Sequence, residues 1–200
     1  MPRYRVVPTK PYLSHLMFYL DEIAAYLPCC EQERADRELM LRFARENPDC
    51  LLRSNPAGHF TASAWIVNPA RDKVLFCWHN IYRSWSWVGG HADGAGDLAA
   101  VALREAQEET GVAGRLAQEG VFSLEILTVD GHEKRGDYVP SHLHYNLTYL
   151  VEADETAPLR VKEDENSGVR WFAFAEALAA STEPWMAERV YKKLIEKGRL

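Results

Sequence analysis

Residues 89–112 pass from a glycine turn, Gly89-Gly90-His91-Ala92-Asp93-Gly94-Ala95-Gly96, into a predicted helix that crowds Arg104, Glu105, Glu108 and Glu109 together. At about 100° per residue, Glu105, Glu108 and Glu109 fall within roughly a quarter to a third of the helix circumference, so three carboxylates share one side. Glu105 and Glu109 stand at i,i+4, where like charges repel and weaken a bare helix, so something positive has to offset them. Hard divalent cations such as Mg²⁺ suit an oxygen-rich site of this kind, shared with waters and substrate phosphates. Arg104 can steady Glu108 through an i,i+4 ion pair. Asp97 stands where the N-cap of a helix beginning at Leu98 is expected, and Gly111 where a left-handed residue ends it.

Around this segment the pattern changes from helical to extended. Leu13, Leu16, Met17, Leu20, Ile23 and Leu27 recur at helical steps up to Pro28, and a second helix is predicted over residues 32–46, stopped by Asn47-Pro48. From His59 onward the chain reads as strands. Residues 60–67 and 73–78 flank the turn formers Asn68-Pro69-Ala70-Arg71-Asp72 and predict a hairpin. Residues 85–88 lead into the glycine turn, residues 121–129, 142–151 and 168–174 predict further strands, and residues 184–197 a closing helix. Mixed strands with a central and a terminal helix describe an α+β sandwich. With 200 residues, 47% of them hydrophobic, the chain is long enough for one good core.

The formal net charge of -6 gives no basic footprint for a nucleic-acid polymer, whereas a bound cation can still bring a phosphate ligand to an acidic protein. No apolar run reaches the roughly 18 residues that span a bilayer, so no membrane association is expected and the cytoplasm is the expected location. Cys29, Cys30, Cys50 and Cys77 show no Cys-x-x-Cys spacing and predict neither a disulfide framework nor a zinc knuckle.

With Gly90 as its first glycine, the segment resembles the Nudix box, Gly-x5-Glu-x7-Arg-Glu-U-x-Glu-Glu-x-Gly-U with U a bulky apolar residue, and places Arg104, Glu105, Glu108, Glu109, Gly111 and Val112 in register. Gly96 stands where the family has its first glutamate, and Ala106 is a small version of the apolar residue after Arg-Glu. The resemblance implies a Nudix-type α/β/α sandwich with a mixed β-sheet over residues 58–200, to which residues 1–57 add an N-terminal helical segment. It implies a metal-dependent hydrolase that cleaves the pyrophosphate bond of a nucleoside diphosphate linked to another moiety, with Mg²⁺ or Mn²⁺ as cofactor and a small, nucleotide-like diphosphate as substrate. Glu105, Glu108 and Glu109 are then the expected metal ligands, joined by the carbonyl of Gly90. Glu105 or Glu109 serves as base, and Arg104 positions the carboxylates. A catalytically weak nucleotide-binding or regulatory module is one alternative, motivated by Gly96. An enzyme similar to isopentenyl diphosphate isomerase is another, which needs a catalytic cysteine, and Cys77 is the one near the box.

Outside the box, Glu165 is the candidate for a further acidic ligand, against the plain alternative of an exposed turn between strands. His142 and His144 alternate and so face one side of a strand; His144, with His91 and Trp87, is a candidate substrate contact. Trp78, Tyr82, Trp85 and Trp87 offer faces for stacking a base, although core packing accounts for at least half of them. The N-terminal helices cap the domain, line the cleft, form a homodimer contact or simply pack as an appendage.

Overall fold

A computed structural model of the chain describes residues 18–134 and 136–199. The outer part of the first predicted helix, at Leu13, Leu16 and Met17, lies outside them. Two helices come first, α1 (Phe18–Ala25) and α2 (Glu31–Glu46), followed by strands β1 (Gly58–Val67), β2 (Lys73–His79), β3 (Ser84–Ser86) and β4 (Val88–His91). The acidic helix is α3 (Leu98–Thr110). After it come β5 (Arg115–Leu116), β6 (Ser123–Val129), the small hairpin β7 (His132–Lys134) and β8 (Asp137–Val139), then β9 (His142–Glu152) and β10 (Asn166–Ala173). α4 (Phe174–Ala180) follows, and a π-helical stretch over Met186–Tyr191 runs into α5 (Lys192–Gly198). The predicted hairpin is present, with Val67 opposite Val74. α4, β5 and the β7–β8 hairpin are additions that the hydrophobic pattern did not mark.

The sheet runs β10-β2-β1-β9-β5, with β4 paired to β1, β3 to β2 and β6 to β9. Its centre is parallel: β1 and β9 align from Gly58 beside Leu143 to Val67 beside Glu152. Every residue of β1 is buried, as a central strand covered on both faces must be. Alternation along β1 sends Phe60, Ala62, Ala64 and Ile66 into one apolar cluster, where α1, α2 and α3 pack. Trp65 and Val67 face the second cluster, which holds Val74, Phe76, Phe172 and residues of α4 and α5. Helices on both faces of a mixed sheet make this an α+β sandwich. β1 also uses its alternation for a third purpose. His59, Thr61 and Ser63 form a polar row that, with His142, His144 and Asn146 of β9, lines a cleft of about 630 Å³.

The N-terminal helices belong to the larger core. Ile23 and Met40 have no exposed surface, and the ring of Phe43 stacks on Tyr145 of β9 with centroids 4.0 Å apart. α2 lies along β6, where Asp36 accepts a hydrogen bond from the Ile126 N–H at 3.1 Å. Glu33, fully buried on α2, accepts from the Ser123 hydroxyl at 2.8 Å and meets Lys193 and Lys197 of α5 at 3.2 and 3.1 Å. α2 and α5 are thus tied together through one carboxylate.

Candidate active site

The acidic helix begins and ends as its sequence dictates. The Asp97 side chain accepts from the Ala100 N–H at 2.9 Å, satisfying one of the free N–H groups at the helix start. Gly111 closes the helix in the left-handed region at φ 80°. A β-carbon there would also lie 3.0 Å from Cβ of Arg160. Between these caps α3 packs on β1 and β4. Gly90 is where the turn meets the helix most closely, since a β-carbon on it would sit 2.5 Å from the carboxyl carbon of Glu105. The absence of a side chain at Gly90 is what lets the carboxylate approach the strand.

Glu109 and Glu105 both turn inward. Glu109 is 3% exposed and lines the cleft. Its Oε1 accepts from the Gly89 N–H at 3.1 Å, and the Cys77 thiol lies 3.5 Å from Oε2. Burial pushes the Glu109 carboxyl up to about 8, opposed by the Gly89 bond and reinforced by the charges of Glu165 and Glu105. Glu105 takes a hydrogen bond from Arg104 at 2.9 Å. Arg104 thus sits closer to its neighbour Glu105 than to Glu108, whose carboxylate is 3.8 Å from its Nε.

Carboxylate oxygens of Glu105, Glu109 and Glu165 all lie within 4.8 Å of one another. Glu165 reaches the helix because Asn166 donates to the Glu109 carbonyl at 3.0 Å, clamping the loop before β10 onto α3. Glu108 does not join this trio. It is exposed, between Arg104 and Lys162, the latter 3.5 Å away. Lys162 also pairs with Glu165 at 3.0 Å, a role that its charged surroundings in the sequence did not single out.

Three carboxylates sharing a few ångströms, with Glu109 buried and forced toward neutrality and Glu165 half exposed, fit a cation better than they fit one another. The hard oxygen donors and the side-chain-free approach at Gly90 agree with Mg²⁺ or Mn²⁺.

The remaining candidates divide by location. His91, His144 and Trp87 line the cleft, as do His59, His142 and Tyr82. Trp78 and Trp85 pack edge to face at 5.8 Å, and Trp85 does the same against Phe172 at 5.0 Å. Cys77 has no exposed surface, and burial first, then the charge of Glu109, holds its thiol well above the ordinary range. Asp93 shapes the turn at φ 48° and pairs with Arg53. The floor of the cleft went unmarked in the sequence. Asn146 accepts from the hydroxyls of Thr61 and Ser63 at 3.0 and 2.9 Å, and its amide donates to Glu125 at 3.3 Å. The signal for it is the polar residue at every second place in His59-Phe60-Thr61-Ala62-Ser63 and again in His142-Leu143-His144-Tyr145-Asn146.

Fold and site together define a class: a mixed-sheet sandwich in which a capped acidic helix and the glycine turn before it flank a cleft. The NUDIX domain model matches residues 58–194, and the chain belongs to the Nudix family. A NUDIX hydrolase from Nitrosomonas europaea is similar in structure at 18% identity and a TM-score of 0.51, covering 70% of this chain and 87% of its own. A NUDIX-family hydrolase from Clostridium perfringens (20% identity, TM-score 0.48, 70% and 96% of the two chains) and an Ap4A hydrolase from C. elegans (15%, 0.49, 68% and 93%) are further similar structures. Identities this low speak to the fold alone. No curated protein matches the chain in sequence.

Proposed function

We propose that this protein is a divalent-metal-dependent pyrophosphohydrolase acting on a small diphosphate, nucleotide-like in character, within a catalytic domain at residues 58–200 that the helical segment 1–57 extends. The observation that carries it is the meeting of Glu105, Glu109 and Glu165 within 4.8 Å beside Gly90 and the cleft. These three side chains would hold the ion, with the Gly90 carbonyl beside them; when bound, it neutralises charge on the phosphate oxygens and acidifies a water. Glu109 is the proton acceptor in this reading, because it alone of the three lines the cleft and both of its oxygens are held in place. Arg104 and Lys162 position the carboxylates from outside. Trp87 and Tyr82 offer aromatic faces at the cleft for a base, and His91 and His144 polar edges for the remainder of the ligand.

The isomerase alternative requires a reactive thiol facing the substrate, and Cys77 is buried, outside the cleft lining and held in its neutral form. The test is a panel of dinucleotides, nucleotide sugars and nucleoside triphosphates with Mg²⁺ or Mn²⁺. Hydrolysis at a diphosphate bond is expected, with a loss of at least about 100-fold in kcat for Glu109→Gln. Nucleotide binding without turnover under either metal would instead favour a binding module, and loss of activity in Cys77→Ser would reopen the isomerase.

A further inference from the structure

The polar face of the sheet carries a second group of ligand-type side chains, separate from the carboxylates. His59 on β1 lies directly beside His144 on β9 in the parallel register, and His91 on β4 lies opposite Thr61, one step along the same face of β1. His142, two residues before His144, completes the set. Ring centroids of His59 are 5.0 Å from those of His91, His142 and His144 alike. Nitrogens of His59, His91 and His144 all come within 4.8 Å of one another. Among the described residues, no acidic side chain lies in that group.

Within this group His59 is the buried ring whose hydrogen-bonding capacity is left unmet. His59 is 4% exposed, yet neither of its ring nitrogens meets a partner at hydrogen-bond geometry; the Asn55 backbone is near enough only to nudge its protonation. His142 has Nδ1 within 2.9 Å of the Pro140 carbonyl, which fixes the proton there and leaves the Nε2 lone pair directed inward. In the ion-free protein that Nε2 accepts a hydrogen bond from Nε2–H of His144 at 3.2 Å, a proton that an incoming ion would displace. Two nitrogens bound to one ion at about 2.0–2.1 Å in tetrahedral geometry stand roughly 3.3 Å apart, so this spacing is already that of a coordination edge.

We propose that His59, His91 and His144, with His142 hydrogen-bonded to His144 beside them, form a binding site for a borderline divalent transition-metal ion, Zn²⁺ or its Co²⁺ and Ni²⁺ analogues, in the wall of the cleft. Neutral imidazoles select such ions over Mg²⁺, which prefers oxygen donors. The cleft beside the rings leaves room for a ligand oxygen. The site stands whether or not the carboxylate trio performs hydrolysis.

The test uses the full chain, stripped with a chelator, returned to buffer with excess Mg²⁺, and titrated first with Co²⁺ and then with Zn²⁺. The expected result is one Co²⁺ per chain with the visible spectrum of a nitrogen-bound ion, paramagnetically shifted imidazole N–H protons, and displacement by Zn²⁺. His59→Gln and His144→Gln should each weaken Co²⁺ binding at least about tenfold, while Glu109→Gln and the double substitution Cys29→Ser, Cys30→Ser leave the Co²⁺ affinity unchanged. Absence of Co²⁺ uptake beside Mg²⁺, bound Co²⁺ that shifts no imidazole proton, or a thiolate charge-transfer band would each overturn the proposal. The last would place the ion on Cys29 and Cys30, which lie near Glu33 in another cluster. Because the wild-type Co²⁺ spectrum identifies the donors directly, the outcome holds even where a histidine variant fails to fold.

Discussion

Glu165, and not Glu108, has its carboxylate beside those of Glu105 and Glu109. Glu108 sits in the box at a ligand position, yet its side chain is half exposed and held between Arg104 and Lys162. Glu165, outside the box, has its carboxylate among those of Glu105 and Glu109. Under the proposed mechanism, Glu165→Gln therefore lowers Mg²⁺ affinity at least about tenfold, the scale on which single supporting groups matter at metal sites, and Glu108→Gln lowers it less; titrations of rate against Mg²⁺ for the two variants distinguish them. Asp97 shows the opposite kind of role. Its carboxylate caps α3 through the Ala100 N–H, so Asp97→Ala should cost about 1 kcal/mol of stability while turnover per folded molecule is retained. Thermal melts read beside active-site-normalised rates would expose an error, which would take the form of a collapse in rate at unchanged melting temperature.

At the level of elements, the site depends on how a turn, a helix and two strands meet. β1 is the shared component: its even positions build the core beneath α3, and its odd positions from His59 to Ser63 floor the cleft. A one-residue slip of β1 against β9 would exchange these faces, so the ten aligned residue pairs of that register fix core and cleft at once. α2 supports the same region from behind, with Phe43 stacked on Tyr145 and tilted against Phe60. Phe43 is 8% exposed, and Phe43→Ala should cost about 3–5 kcal/mol, the range for removing a buried aromatic ring. Chemical denaturation of this variant measures how firmly the N-terminal segment belongs to the core. A loss below about 1 kcal/mol, the scale of a merely conservative core swap, would make α2 a loosely attached appendage.

For the whole molecule, the tie between α2 and α5 carries a pH signature. Burial acts to raise the Glu33 carboxyl, but it is outweighed by the hydrogen bond with Tyr26, the Lys193 charge, the Cys29 N–H and Lys197, and the net result is a pKa lowered to about 2. A depressed folded-state value means that the stabilisation is complete above the ordinary carboxyl range near 4.5 and is lost as the pH falls toward 2. A shift of this size corresponds to on the order of 3 kcal/mol. Stability measured from pH 6 to pH 2 should fall across that window, and Glu33→Gln should flatten the fall while lowering stability at neutral pH. An unchanged acid limb in Glu33→Gln would assign acid sensitivity to other carboxylates. No described helix is long and apolar enough to cross a membrane.

The sequence by itself determined the acidic helix with both caps, the hairpin, the principal strands and the family, because each rests on local rules: helical periodicity, a capping side chain, a left-handed glycine, alternation in a strand. Half of the aromatic residues near the turn were correctly assignable to packing on the same grounds. Only the tertiary structure decided which carboxylates converge, that Lys162 stands between Glu108 and Glu165, and that His59 faces His144. Glu165 is 56 residues beyond Glu109 and His144 is 85 beyond His59 by their numbering. Such pairs meet through strand register and loop clamping, and neither leaves a trace in the spacing of residues along the chain.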